Sequence, residues 1–348
     1  MPDLLTIAGI ALKTSVLLAI AGLLAIALRR QSAAFSHLLW TSALALCVLM
    51  PFAVLFLPSH TLVTLLPPIP SPARGGGLGW GHPGWGPLQW SLAIWLVGFS
   101  LILLRELLAT FGLARWRRHA QPLSASRWSA TLARISTEIP RMRVFESTHI
   151  ASPCTWGFLR PVLLLPSAGN AWPESARHSA LLHELAHVRR LDALSTLISR
   201  LACALHWYNP LVWLAAQRVR TLQERACDDA VLRAGAMPSE YAQFLLDVAA
   251  HMSGMSRPRR LAMGMVHSPL RSRIVAILDP RAMRTQPHRV RVIAACTSLF
   301  AFTVFLATAS VAVEPPQTPK IPQIPKLPEL PTLPILPIPP LPPVGPSQ

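Results

Sequence analysis

Four long apolar runs constrain this chain more than any other feature of its sequence. They cover about residues 4–28, 35–57, 88–104 and 292–313, and Lys13 is the one charged residue within them. A hydrocarbon core of ~30 Å needs a helix of about 20 apolar residues, so each run has roughly the length that crosses a bilayer. Hydrophobic residues make up 52% of the chain and charged residues 14%, which is more apolar than a soluble protein. We therefore predict a mainly α polytopic membrane protein with four transmembrane helices.

The first apolar run has some features of a secretory signal, but its flanks do not fit one. Asp3 precedes it without a basic cluster, and no small-x-small cleavage site lies before Arg29 and Arg30. We expect this helix to be retained in the membrane, with the N-terminus outside.

The basic residues predict the orientation, because Lys and Arg are retained on the cytoplasmic side of a membrane. Most of the 32 basic residues lie between Arg115 and Arg291, and Arg29 and Arg30 occupy the first predicted cytoplasmic turn. The Gly-, Pro- and Trp-rich loop at residues 58–89 contains one basic residue, Arg74, as expected for an outside loop. These features indicate a multi-pass protein of a bacterial cytoplasmic (inner) membrane.

Four regions follow from this topology. We expect three transmembrane helices in residues 1–113, a cytoplasmic domain in 114–286, the fourth transmembrane helix in 287–313 and an extracytoplasmic tail in 314–348. In the tail, proline recurs at every third position from 316 to 346. That repeat matches a polyproline II rod of roughly 100 Å, which is either a stalk, a ligand for a partner protein or an unliganded spacer.

The net charge of +17 reflects topology first. No nucleic-acid-binding motif accompanies it, so we expect the basic face to meet the anionic lipid bilayer and no nucleic acid to bind directly. The five cysteines follow no disulfide or CxxC spacing and are expected to be free thiols. The sequence leaves a homodimer open.

The predicted cytoplasmic domain reads as mostly helix with a small sheet. Short strands are expected at residues 142–146, 151–156 and 161–165, the last two forming a hairpin with its turn at Gly157. A helix is predicted from about Pro173 to Leu205, where HWYNP ends it, and further helices at 211–232, 239–252 and 270–278.

The stretch LLHELAH at residues 181–187 carries the strongest chemical signal. Positions four apart share a helix face, so His183 and His187 can hold one metal ion, and Glu184 can reach a water on it. This is the arrangement of zinc hydrolases, with Glu184 as the catalytic general base. The alternative is an amphipathic helix that carries the motif by chance.

A catalytic zinc ion needs a third protein ligand and one open position. Glu224, in QERACDDAVL, is the candidate ligand, and Asp228 lies one turn further along the same face. Asp228 is therefore a candidate to accept the second ring N–H of a ligand histidine and fix its tautomer, and Asp192 is another. The alternative is a solvated acidic face that pairs with nearby arginines, namely Arg189, Arg220 and Arg225.

Other polar residues are assigned to packing. His206 stands at a helix end beside aromatic residues, which favours a packing or capping role over metal ligation. Tyr241 is interpreted as a core residue. The motif helix contains too many charged residues to cross a membrane, so we expect the site at the cytoplasmic face, partly sunk into the interface. The hairpin before it is the natural edge for a substrate strand.

Four stretches in this order, SPCTWGFLRPVLLLP, LLHELAHVRRLDAL, ALHWYNPLVW and QERACDDAVL, together resemble the BlaR/MecR-type antirepressor family of integral-membrane zinc metallopeptidases. The resemblance covers about residues 140–280, including MGMVHSPLRSRIVAIL near its end. It implies one Zn²⁺ held by His183, His187 and Glu224, catalysis by Glu184, and proteolysis of a DNA-binding repressor in response to an outside signal. That family carries a penicillin-binding sensor domain after the last span, where this sequence has the proline-rich tail, so we expect a trigger other than β-lactam acylation.

Two alternative functions remain at this stage. A membrane protease of the quality-control type also pairs HExxH with a later Glu-x-x-x-Asp, and would degrade misfolded membrane proteins. A non-catalytic membrane receptor or scaffold could keep the fold and signal by binding alone. The complete HExxH and Glu224 set argues against the second.

Overall fold

The computed structural model of the protein describes residues 4–58, 60–63, 86–135, 142–253 and 270–311. The predictions for the proline-rich tail and for most of the Gly-, Pro- and Trp-rich loop lie outside the described residues. Within them the chain is mainly helical with a small sheet, which confirms the predicted fold class.

In the part of the chain that the structure describes, four helices are long and apolar enough to cross a membrane. They are α1 (Leu4–Ala27), α2 (Ala33–Phe56), α3 (Pro87–Arg118) and α10 (Arg289–Thr308). Three agree closely with the predicted spans, whereas α3 continues well beyond its apolar run into ARWRR, because Arg and Trp are tolerated in a helix and no Gly or Pro ends it there. The expected domain boundary at 113 therefore falls inside a helix.

Helix α2 is the centre of the membrane bundle. Its apolar residues form one core cluster with α1, α10 and helix α7 (Pro210–Arg233), in which Leu17, Leu44, Met50, Val219 and Leu299 are buried. Lys13, the one charge in the first apolar run, donates from Nζ to the Ala307 carbonyl oxygen of α10 at 3.0 Å. This hydrogen bond gives a half-buried cation a partner where water is scarce.

The C-terminal ends of α2 and α10 lead into a two-stranded parallel sheet. Strand β1 (His60–Val63) follows α2 and pairs with β6 (Ala309–Val311), which follows α10. Both helices therefore leave the bundle at the same end, as four alternating spans require.

A four-stranded sheet has the order β2 (Gln121–Pro122), β3 (Arg143–Ser147), β5 (Val162–Pro166), β4 (Cys154–Trp156). Strands β4 and β5 form the predicted antiparallel hairpin, and Gly157 adopts the positive φ of 83° that its turn needs. Helix α4 (Arg127–Ile135) covers the sheet through Trp128, whose indole N–H donates to the Pro166 carbonyl oxygen at 2.9 Å. A short 3₁₀ helix (Ser167–Ala171) leads to the motif helix.

The motif helix is shorter than predicted. Helix α5 (Glu174–Arg189) ends before Leu191, which adopts left-handed φ and ψ of 55° and 40°, and α6 (Asp192–Leu205) starts anew. The prediction of one continuous helix to Leu205 was wrong. The break turns α6 away from the axis of α5 and brings the Asp192 carboxylate back to His187. The contact of Asp192 with His187 therefore helps to hold Leu191 in its strained conformation.

Helix α6 and helix α7 (Pro210–Arg233) form a hairpin that enters the membrane bundle. At its tip, the His206 ring hydrogen-bonds to the Cys47 carbonyl oxygen of α2 at 2.9 Å, and Asn209 donates to Ser15 of α1 at 3.0 Å. Pro51 explains why the Cys47 carbonyl is available, since proline lacks the N–H that would otherwise bond it four residues earlier. The tip therefore lies at about the middle of these helices.

Helices α8 (Pro238–Ser253) and α9 (Leu270–Leu278) complete the fold on the side of α7 away from the tip. They pack through a small core that contains Val231, Tyr241, Ala242 and Ile277. The segment expected to be a separate cytoplasmic domain thus shares a core with the membrane helices through α6 and α7.

Candidate metal centre

Helix α5 carries both histidines and the glutamate of the HExxH motif on its buried side. His183 and Glu184 are each 9% exposed, and Leu181 and Leu185 on the same helix are in the core. The Nε2 atoms of His183 and His187 face each other at 3.2 Å. This is the consequence expected of two imidazoles one turn apart on a helix.

Glu224 of α7 reaches the same point from the neighbouring helix. Its Oε2 lies 3.6 Å from His183 Nε2 and its Oε1 lies 3.8 Å from His187 Nε2. Ligands placed tetrahedrally at about 2.0–2.2 Å from a zinc ion are about 3.3–3.6 Å apart, which is close to these separations. The three side chains therefore fit one tetrahedral ion, and their nitrogen and oxygen donors are those that zinc takes in hydrolases.

Behind His183 lies a carboxylate that fixes its tautomer. His183 Nδ1 is 3.2 Å from Asp228 Oδ1, so Nδ1–H can donate to the carboxylate and leave the lone pair of Nε2 for a metal. The Tyr241 hydroxyl lies 3.1 Å from the same nitrogen and donates to Asp228 at 2.8 Å. Tyr241 thus stands on the far side of the ring from Glu224, as a buried partner of Asp228.

Arg273 of α9 neutralises the buried acids. Its guanidinium donates to Asp228 at 2.6 and 2.8 Å and pairs with Glu224 at 3.0 Å. Burial raises the pKa of Asp228, but Arg273 and His183 outweigh it and hold that pKa at about 2. The pKa of Glu224 is likewise lowered, against burial, chiefly by Arg273 and His183. Both groups are carboxylates at neutral pH.

The carboxylates around the cluster also favour positive charge on His183. Burial lowers the pKa of His183, but its hydrogen bonds to Asp228 and Glu224 outweigh burial and raise the pKa to about 9. The electrostatic environment of the cluster therefore attracts a cation, whether a proton or a metal ion.

His187 has its own carboxylate, provided by the first residue of α6. Its Nδ1 lies 2.9 Å from Asp192 Oδ2, and Arg190 Nε approaches Asp192 at 3.4 Å. Burial raises the pKa of Asp192, but His187 and Arg190 outweigh burial and lower that pKa, so Asp192 is ionised. Both acids that the sequence singled out, Asp228 and Asp192, therefore contact a motif histidine on the side away from Glu224.

His187, Asp192 and Cys227 form a second group with ligand atoms close together. Burial and Asp192 raise the pKa of the Cys227 thiol well above its usual range, which disfavours the thiolate that a metal needs. The same His187 Nδ1 is also committed to Asp192. The cluster with Glu224 is the better metal site.

Glu184 points toward the small sheet. Its Oε2 accepts a hydrogen bond from Thr155 Oγ1 of β4 at 3.0 Å. Strand β4 is an edge strand, and within the described residues it pairs only with β5. An extended peptide added to this edge would pass beside Glu184, as the hairpin position suggested.

The cluster lies near the N-terminal end of α2, one of the candidate membrane spans. His37 of α2 contacts Ser195 next to the cluster, and it precedes Cys47, the contact of the hairpin tip, by about 15 Å of helix. Half of a hydrocarbon core is also about 15 Å. The cluster is thus separated from the hairpin tip by a length of helix similar to half a hydrocarbon core.

Some of these contacts were predicted and others were not. His206 is buried at the hairpin tip, far along α6 from the cluster, as its packing interpretation required. Arg273 and Thr155 were missed, since neither has a recognisable motif. Among the acidic residues of α7, Asp228 and Glu224 pair with Arg273, while Asp229 lies 3.7 Å from Arg284.

These features define a membrane protein with a histidine- and glutamate-lined candidate metal centre near the N-terminal end of α2 in its helix bundle. Residues 87–277, more than half of the chain, match the family described as BlaR1 peptidase M56. The chain therefore belongs to this BlaR1-type family of metallopeptidases, which confirms the resemblance to BlaR/MecR proteins and implies a metal.

A curated relative supports the same assignment. Over 144 residues the chain is 29% identical to the regulatory protein BlaR1 of Bacillus licheniformis. The match covers 40% of this chain and 24% of that protein, so about a quarter of the relative's length is represented.

Proposed function

We propose that the protein is a membrane-bound zinc metalloendopeptidase that transduces an extracytoplasmic signal by proteolysis, with a cytoplasmic DNA-binding repressor as its substrate. The observation that carries the proposal is the convergence of His183, His187 and Glu224 at separations of 3.2–3.8 Å. Family membership supports the peptidase activity, and the relative's description as a regulatory protein supports the signalling role.

In this proposal one zinc ion is held by His183, His187 and Glu224. When bound, zinc supplies Lewis acidity, which makes water acidic enough to lose a proton near neutral pH. Asp228 and Asp192 each accept the Nδ1 proton of one ring, which directs the Nε2 lone pair of that imidazole toward the metal. Arg273 balances the negative charge of Asp228 and Glu224.

Glu184 is the general base. Thr155 Oγ1 donates to one carboxylate oxygen at 3.0 Å and so holds Glu184 in orientation, leaving the other oxygen to accept a proton from water. The substrate backbone binds along the edge of β4, which positions its scissile carbonyl next to Glu184. The water oxygen bonds to the carbonyl carbon as it loses a proton to Glu184, the C–N bond of the substrate then breaks, and Glu184 returns that proton to the leaving amine.

The cytoplasmic position of this site is part of the proposal. Arg29 and Arg30 follow α1 and the basic residues cluster in the segment between α3 and α10, as the positive-inside rule predicts for a cytoplasmic face. The N-terminus and the segment after α10 are then outside. A soluble repressor has access to a site at the inner interface.

Comparison of wild-type protein with the Glu184→Gln variant in its native host tests the proposal. Metal analysis should find one zinc per chain in both, and quantitative analysis of newly formed protein termini should find cleavage of one or a few cytoplasmic DNA-binding proteins with the wild type only. Cleavage spread over many membrane proteins would indicate quality control instead. Identical termini together with unchanged signalling would contradict catalysis and leave a receptor or scaffold.

A further inference from the structure

A buried histidine on transmembrane helix α2 lies against the start of α6. His37 is 2% exposed, and its Nε2 is 3.2 Å from Ser195 Oγ and 3.9 Å from Asp192 Oδ1. The Ser195 hydroxyl donates its own proton to the Asp192 carbonyl oxygen at 2.9 Å. Ser195 Oγ is therefore the acceptor, and His37 donates from Nε2–H.

This contact continues to the candidate metal ligand. Asp192 is 1% exposed, and its Oδ2 accepts from His187 Nδ1 at 2.9 Å, while its Oδ1 faces His37 and Arg190. The orientation of Asp192 fixes the orientation of the His187 ring, since a carboxylate on the second ring nitrogen positions a metal-ligating imidazole. Three side chains, those of His37, Ser195 and Asp192, thus connect α2 to His187.

Helix α2 is suited to carry a displacement over this distance. It runs without interruption from Ala33 to Phe56, about 36 Å of helix, and its far end leads into the outer β1–β6 sheet. His37 is in its second turn. A movement of α2 relative to α6 therefore acts directly on the group that supports His187.

We propose that His37 is the positioning residue through which membrane helix α2 controls the Asp192 carboxylate and, with it, metal binding by His187. Ser195 Oγ lies 3.2 Å and Asp192 Oδ1 lies 3.9 Å from His37 Nε2, a difference of 0.7 Å. A displacement of about 1 Å brings Nε2 within hydrogen-bond distance of Asp192 Oδ1. Helix shifts of 1–2 Å are ordinary in switching proteins. The inference deepens the proposed function and rests on its metal site.

The test measures the zinc dissociation constant of the full-length protein in detergent, by competition with a chromogenic chelator. Asp192→Asn should raise the Kd about 10- to 100-fold. His37→Leu removes one hydrogen bond and should raise it about 2- to 10-fold. His37→Gln, which keeps a donor at the position of Nε2, should restore the wild-type Kd.

The decisive comparison is the double variant. If His37 acts through Asp192, adding His37→Leu to Asp192→Asn changes the Kd by less than about 2-fold. The absorption spectrum of the Co²⁺-substituted protein should also change in His37→Leu, because a displaced imidazole alters the ligand geometry. Ser195→Ala, a mild change inside a helix, should raise the Kd as His37→Leu does and serves if the leucine variant fails to fold.

Thr41→Val is the matched control. Thr41 lies one turn beyond His37 on α2, and its buried hydroxyl has no hydrogen-bond partner within the described residues. The isosteric change should leave the zinc Kd unaltered. Unchanged Kd and spectrum in His37→Leu, or effects that multiply in the double variant, would overturn the inference while leaving the proposed function intact. A wild-type protein that binds no zinc would overturn both.

Discussion

Asp228→Asn is the substitution whose cost the structure defines best. The carboxylate accepts from Arg273 at 2.6 and 2.8 Å, from Tyr241 at 2.8 Å and faces His183 Nδ1 at 3.2 Å. An asparagine of the same size places an N–H₂ group against the donors of Arg273 or against those of Tyr241 and His183. It also removes the charge that Arg273 requires.

The lowered pKa sets the size of the effect. A shift of the Asp228 pKa from 3.8 to about 2 is equivalent to about 2 kcal/mol in favour of the carboxylate. Since its pKa is lower in the folded state, this stabilisation is present above pH 4 and is lost as the pH falls from about 4 toward about 2. At pH 7 we expect Asp228→Asn to lower the Tm in detergent by about 3 °C, given the unfolding entropy of a chain of 348 residues. The zinc Kd should rise about 10- to 100-fold.

Asp229→Asn is the control at the adjacent position. Burial raises the pKa of Asp229 to about 6, and its carboxylate lies 3.7 Å from Arg284 rather than against the cluster. The same chemical change there should leave the zinc Kd unaltered and should not lower the Tm. Equal effects of the two variants, or no effect of Asp228→Asn on zinc affinity, would refute the assignment of Asp228 as the support of His183.

Three further predictions concern stability in detergent. Gly98→Ala should lower the Tm, since its Cβ would lie 2.3 Å from the Trp207 indole and overpacking costs about 1–3 kcal/mol, while Gly112→Ala, with open space around it, should not. Leu191→Gly should raise the Tm slightly, because it relieves about 1 kcal/mol of left-handed strain at a half-exposed side chain; a lower Tm would refute this reasoning. Because the pKa of Asp229 is raised in the folded state, its carboxylate destabilises the wild type as the pH rises from about 4 to about 6. The Tm of Asp229→Asn minus that of the wild type should therefore increase over this interval. A constant difference would contradict the raised pKa.

Periodicity and hydropathy were sufficient for the parts of the fold that depend on local sequence. The four apolar runs became helices because each segment satisfies its own backbone hydrogen bonds. The i, i+4 spacing brought His183 and His187 together, and the same spacing on α7 aligned Glu224 with Asp228. These relations hold within one helix and need no knowledge of tertiary structure.

Relations between distant segments could not be predicted in this way. Apolar residues continue in helical period across Leu191, so nothing in the pattern marks the break that brings Asp192 to His187. Arg273 is 45 residues from Asp228 in sequence, and its ion pair depends on how α9 packs against α7. Insertion of the α6–α7 hairpin into the bundle likewise depends on a carbonyl group freed by Pro51 in another helix.

Zinc K-edge X-ray absorption of the purified wild-type protein identifies the ligands of the metal. We expect one zinc per chain with nitrogen and oxygen ligands at about 2.0–2.2 Å, two of them imidazoles, and no sulfur. His187→Ala should lose the metal, while Cys227→Ser should leave the spectrum unchanged. A sulfur ligand at about 2.3 Å, or wild-type protein without bound zinc, would contradict a metal centre formed by His183, His187 and Glu224.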